Sequence, residues 1–143
     1  MRNLVAWWLN DKAMQRYTCA QEAEMASGQR PDIWVQNPTV QKSVPIELKI
    51  LDNGWTGPGL CERLKNQLAG DYLRAARAGV MLLIWQVRDQ KPIWKIEGQK
   101  VPLEQLEAKL QKYWDSIAHD HPEIDKVKVI VIDLTKRGQR SGT

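Results

Sequence analysis

The chain has 143 residues, 43% hydrophobic and 27% charged, which suits one domain with enough apolar material for a core. No apolar run approaches a membrane span, and the short first run is interrupted by Trp7-Trp8 and Asn10-Asp11, so neither a leader nor a membrane partner is expected and the location reads as cytoplasmic. A net charge of +4 permits a polyanionic partner without requiring one; Cys19 and Cys61 lack metal-type spacing and His119 and His121 stand apart from other ligands, which argues for reduced thiols and against zinc.

Residues 2–15 place Leu4, Val5, Trp8 and Leu9 at helical spacing and predict a short amphipathic helix with those four on its apolar side. Residues 16–26 predict a strand in which Glu22 and Glu24 share a face, and Ser27-Gly28-Gln29 a turn. Residues 30–35 and 44–50 predict two further strands, separated at Asn37-Pro38-Thr39 and able to pair as a hairpin. In the second of them Ile46, Leu48 and Ile50 fall on one face and Glu47 and Lys49 on the other, because side chains alternate along a strand.

Residues 51–59 contain three glycines and a proline and predict a loop, on which Trp55 either stacks against a base or tucks into the core. Residues 60–78 predict a helix with Leu60, Leu64, Leu68 and Ala75 on its buried side. At 3.6 residues per turn, Arg63, Gln67, Gly70, Arg74 and Arg77 share about 80° of its surface, a stripe that suits a phosphate backbone and equally a solvated charged face. Gly79 reads as the cap of that helix. The apolar run 80–87 predicts a strand buried on both faces, and a short segment at 93–96 precedes a turn at Glu97-Gly98. Pro102 starts a second long helix whose core stripe is Leu103, Leu106, Leu110, Tyr113 or Trp114, and Ile117. Residues 124–134 predict a last strand, buried in its second half, before a basic tail from about 136. Seven tryptophans and no phenylalanine point to core packing and a stacking surface.

The order helix, three strands, helix, strand, helix, strand predicts a mixed α/β fold, a central sheet flanked by the helices at 60–78 and 103–118. A hairpin should lead through a right-handed crossover helix into a parallel strand.

The hairpin brings Asp32, Glu47 and Lys49 to one spot, and that grouping has a direct chemical use. Mg²⁺ takes hard oxygen ligands, keeps several waters and is commonly held by one or two carboxylates plus substrate phosphate. Asp32 and Glu47 supply the carboxylates, and the backbone carbonyl of Leu48 a third oxygen. Water on such a cation is more acidic than bulk water. Lys49 would hold or deprotonate that water and offset charge on the phosphate, with the electrostatic role favoured.

Pro31-Asp32 and Glu47-Leu48-Lys49, with Glu47 fifteen positions after Asp32, resemble the motif of the PD-(D/E)xK phosphodiesterases, the restriction-endonuclease-like nucleases. Gln67 and Tyr72 on the following helix resemble the glutamine-and-tyrosine motif of the exonuclease-like branch, with four residues between them here against three there. The resemblance covers about residues 17–87 and is nearest to nuclease-like domains at the C-terminal ends of large bacterial multidomain proteins linked to defence.

The resemblance implies a restriction-endonuclease-like core and Mg²⁺-dependent hydrolysis of DNA with little sequence preference. Mn²⁺ is expected to substitute for Mg²⁺, and fused or partner domains to supply targeting. It implies catalytic roles for Asp32, Glu47, Lys49 and Gln67, and an upstream acid for which Glu22 is favoured over Glu24. Arg63, Arg74, Arg77 and Trp55 would contact the nucleic acid. Nothing in the sequence sets the oligomeric state, and a homodimer is compatible with it. Two other classes stay open: an inert member of the same fold that binds nucleic acid or a partner protein, and an unrelated α/β interaction domain in which these residues form a surface ion pair.

Overall fold

The computed structural model describes residues 2–13, 18–21, 33–37, 40–72 and 77–136. The elements are α1 (Arg2–Ala13), β1 (Thr18–Gln21), β2 (Ile33–Asn37), β3 (Val40–Ile50), α2 (Gly57–Glu62) running on as a π-helical segment (Arg63–Tyr72), β4 (Ala78–Trp85), β5 (Ile93–Ile96), β6 (Gln99–Pro102), α3 (Leu103–Ile117) and β7 (Lys126–Asp133). Five strands form one mixed sheet in the order β1-β2-β3-β4-β7, and β5 and β6 form a separate hairpin. The pairs β1–β2 and β2–β3 are antiparallel, whereas β3–β4 and β4–β7 are parallel. The mixed α/β architecture expected from the element order is therefore present.

Strand alternation divides the core between the two faces of the sheet. Ile33, Ile46, Leu48, Leu82 and Ile84 pack on one face with Ala6 of α1. Met81, Leu83, Trp85, Val127 and Val129 pack on the other, under Leu60, Leu64 and Leu68 and under Leu103, Leu106, Leu110 and Trp114 of α3. β4 is an interior strand and supplies both faces, which is why its sequence runs apolar without alternation. Four of the tryptophans serve this core: Trp85, Trp94 and Trp114 are buried in the second cluster, and Trp55 packs against it.

Four expectations are corrected. The helix read at 60–78 begins at Gly57 and is described to Tyr72, because Thr56 caps it with Oγ1 accepting from Gly59 N at 3.1 Å and Pro58 suits its first turn. Gly79 is no helix cap; it sits inside β4, paired with Val127. On α1 the residues turned to the sheet are Val5, Ala6 and Leu9, whereas Leu4 and Trp8 are exposed along with Trp7. In β7 the fully buried residues are Val127 and Val129, in the first half, whereas Val131 in the second half packs only partly buried against the same cluster.

β7 is an outer strand, and α3 closes its free edge with side chains. Gln111 Nε2 donates to Val127 O at 3.0 Å, and its Oε1 accepts from Val129 N at 2.9 Å. Glu107 Oε2 accepts from Val131 N at 2.9 Å. The amide thus stands in for a neighbouring strand, one way of blocking edge-to-edge association.

α2 rests directly on β5. A Cβ built on Gly57 would overlap the carbonyl oxygen of Lys95 and press on Ile96, so no side chain fits without moving backbone. Gly57→Ala is expected to cost about 3 kcal/mol, on the order of 10 °C in melting temperature. Thermal denaturation followed by circular dichroism checks this; an unchanged melting temperature would mean that the hairpin backs away freely.

Candidate active site

β3 can present a polar pair within the core because it is an interior strand with unlike faces. Its parallel register with β4 sets Glu47 beside Met81 and Lys49 beside Leu83, on the face covered by α2 and the π-helical segment. Ile46 and Leu48 point the other way, toward α1. Alternation therefore separates the polar pair from the apolar residues between which it is threaded, as the sequence predicts.

Glu47 is only 1% exposed, the one buried charged residue among those described. Its Oε1 is ion-paired with the Lys49 ammonium, whose side chain keeps 16% of its exposure. The ammonium also lies 5.2 Å from the centroid of the Trp55 ring, and the Arg63 guanidinium lies 5.5 Å from the same centroid. Trp55 thus links the two cations, a contact worth about 0.5–2 kcal/mol for each depending on solvation.

The loop that presents Trp55 is fixed at two points. Gln86 N donates to Asp52 Oδ1 at 3.2 Å, and Trp94 Nε1 donates to the Trp55 carbonyl at 2.9 Å. Gly54 turns the chain between them with φ +81°, a conformation that favours glycine. Neither Asp52 nor Trp94 was legible as part of the site, since their partners lie 34 and 39 positions away. The two alternatives for Trp55 resolve into a combination: it is half-buried against the core, and its ring meets two cations.

The other expected residues divide as follows. Asp32, Glu22, Glu24 and Arg74 lie outside the described residues. Of Gln67 and Tyr72 the backbone alone is described, in the π-helical segment. Arg63 is exposed on that segment, close to Trp55. Arg77 is a correction: it precedes β4, off the helix, and its guanidinium makes two bonds to Asp125, at 3.0 and 2.9 Å, at the opposite end of the strands. The stripe of three arginines does not extend to it.

A hard cation is matched in kind by what β3 offers, a carboxylate at Glu47 followed by the peptide carbonyl of Leu48. Among the described residues no group of three or more His, Cys, Asp or Glu gathers as a metal site. The β2–β3 ladder is described as far as the pair Ile33–Ile46, whose next neighbours in sequence are Asp32 and Glu47. Away from this site, burial, and secondarily the Glu97 carboxylate, raises the pKa of the Cys61 thiol, which makes it a poor nucleophile.

Comparison of the chain with protein-family models, curated proteins and solved structures finds no match. Among the described residues, no helix is long and apolar enough to cross a membrane.

Proposed function

We propose that the chain is a Mg²⁺-dependent nuclease domain that hydrolyses DNA phosphodiester bonds with little sequence preference and is directed by other domains or proteins. The observation that carries this reading is the buried Glu47 carboxylate, ion-paired with the partly exposed Lys49 ammonium, in the middle of an apolar sheet. An ion pair with one charge fully and the other largely withdrawn from water stabilises a fold less than hydrophobic residues of similar volume would. A carboxylate and an ammonium held two residues apart on one face of a parallel strand thus suit chemistry better than packing.

In this reading Glu47, the Leu48 carbonyl and Asp32 would hold the cation. The cation, when bound, would lower the pKa of water and neutralise charge on the phosphate. Lys49 sits where it can release Glu47 to the cation and turn its ammonium toward the phosphate. Arg63 and Trp55, on the outer side of Lys49, would meet the neighbouring phosphate and base.

A second reading has one observation in its favour. Glu47 is closed off by the Lys49 ammonium, and the Trp55 ring lies over that ammonium, so a cation and its waters gain entry only after these move. A catalytically inactive nuclease-fold domain that binds nucleic acid or a partner protein would keep the site shut. Calorimetric titration of Mg²⁺ into wild type and Glu47→Gln separates the two. Wild type is expected to bind with the variant at least about tenfold weaker. Absence of Mg²⁺ binding by folded wild type would favour the inactive reading.

A further inference from the structure

The parallel strands β3, β4 and β7 all run toward the same end of the sheet. In open α/β sheets ligands settle in the crevice outside the carboxyl ends of such strands. An open trough lies there. Its smaller hollow, about 460 Å³, includes Leu51, directly after β3, and Trp55; its larger hollow, about 860 Å³, is lined by Asp133 at the end of β7. The two hollows adjoin, with Trp85 at the end of β4 and Gln90, Pro92 and Ile93 in the walls of both.

We infer that this trough is the track of a single-stranded polynucleotide, leading past Trp55 to the Glu47–Lys49 pair. The inference rests on the proposed nuclease reading for its direction, and on the trough's own surface for its ligand.

Charge is the first argument. Arg88, Lys91, Lys95 and Lys136 line the trough and are exposed, and their side chains form no ion pair with a described residue. Two of the lining acids are committed to backbone: Asp52 accepts from Gln86 N, and Asp133 Oδ1 accepts from Thr135 N at 2.9 Å and from its hydroxyl at 2.6 Å. With Glu104 the lining acids number three, so the four cations leave the trough net positive by one charge.

Surface chemistry is the second. Between the cations lie Pro92 and Ile93, the latter 62% exposed, and at one end the Trp55 ring. Apolar and aromatic surface alternating with cations matches a single strand, which offers base faces and phosphates together. A duplex keeps its base faces stacked inside. Each hollow falls in the range of about 300–1,000 Å³ common for clefts that take small ligands.

Continuity with the site is the third. Trp55 lines the smaller hollow and its ring lies 5.2 Å from the Lys49 ammonium, so a single side chain joins the trough to the ion pair.

The test is fluorescence anisotropy with a labelled oligothymidylate of about twelve nucleotides and a duplex of equal length, in EDTA, across a salt titration. Wild type should bind the single strand more tightly than the duplex. Arg88→Glu/Lys91→Glu should weaken single-strand binding at least about tenfold, and Arg88→Gln/Lys91→Gln should lower the slope of log affinity against log salt by about 0.7 for each lost contact. Melting temperatures equal to wild type establish that both variants are folded, and the milder Gln pair serves if the Glu pair is not. Unchanged affinity and slope in the variants, or a preference for duplex, would overturn the inference. Because EDTA removes cleavage, the two claims part cleanly. Binding with this pattern by a protein that never cuts keeps the trough and loses the nuclease, whereas Mg²⁺-dependent cutting untouched by either variant keeps the nuclease and loses the trough.

Discussion

Glu47→Ala is expected to lose Mg²⁺-dependent cleavage by more than about a hundredfold, since even groups that only support a metal ligand are worth 10–100-fold. It should also lose stability, because the carboxylate is fully buried and its removal leaves the Lys49 ammonium without its ionic partner in an apolar setting. Breaking one side of a buried pair costs about 3–5 kcal/mol; Lys49, partly exposed, can turn to water and bring this down to about 2. Removing both charges should behave differently. Glu47→Leu/Lys49→Met replaces the pair with apolar side chains of similar length and is expected to melt at or above the wild-type temperature while losing all activity. That opposition, a more stable protein with no function, is the signature of a pair kept for chemistry. If the double variant were instead far less stable than wild type and Glu47→Gln kept full activity, the pair would be structural.

Lys49 gives the second large effect, and its two variants separate two roles. Lys49→Arg keeps a positive charge but cannot serve as a base, and its planar head changes the reach. Lys49→Met keeps the aliphatic stem and removes both functions. If the ammonium acts as a cation beside developing charge, the Arg variant should keep measurable cleavage and the Met variant should fall by about 10²–10³, as when one charge-stabilising donor is removed. The loss should be similar across pH. If the amine acts as a base, both variants should fail together, and wild-type activity should rise with pH through a single ionisation. Cleavage against pH, with Mg²⁺ affinity measured alongside, distinguishes them. The electrostatic role is expected, because the Lys49 ammonium already forms an ion pair with the Glu47 carboxylate and can serve as a fixed cation beside developing charge. Full activity in the Met variant would remove Lys49 from the mechanism.

The sequence was most informative where a period settles the structure alone. In β3 the alternation of Ile46, Leu48 and Ile50 with Glu47 and Lys49 assigns faces without any knowledge of neighbours, and those are the faces observed. The continuous apolar run of β4 and the stripe Leu103, Leu106, Leu110, Trp114 on α3 were likewise readable. Errors arose where the deciding contact is distant in sequence. α1 offers apolar residues on more than one side, and the sheet's choice of Val5, Ala6 and Leu9 over Leu4 and Trp8 depends on β2, β3 and β4. Gly79 resembles a cap until β7 supplies Val127 as its partner. Arg77 continues a helical stripe on paper, but Asp125, 48 positions on, holds it elsewhere. The π-helical winding from Arg63 to Tyr72 also changes the angular spacing on which that stripe was drawn. The clamp of Gln111 and Glu107 on β7, and the trough at the strand ends, follow from the parallel order of β3, β4 and β7, which no local pattern discloses.

The central claim is that Glu47 belongs to a metal-dependent phosphodiesterase site. Nicking of supercoiled plasmid by purified wild type and Glu47→Gln, with Mg²⁺ or with EDTA, tests it most directly. Wild type should convert supercoiled to open-circular DNA only with Mg²⁺, and the equally folded variant should be slower by more than about a hundredfold. Equal rates for the two proteins, or no nicking by folded wild type with Mg²⁺ or Mn²⁺, would contradict it.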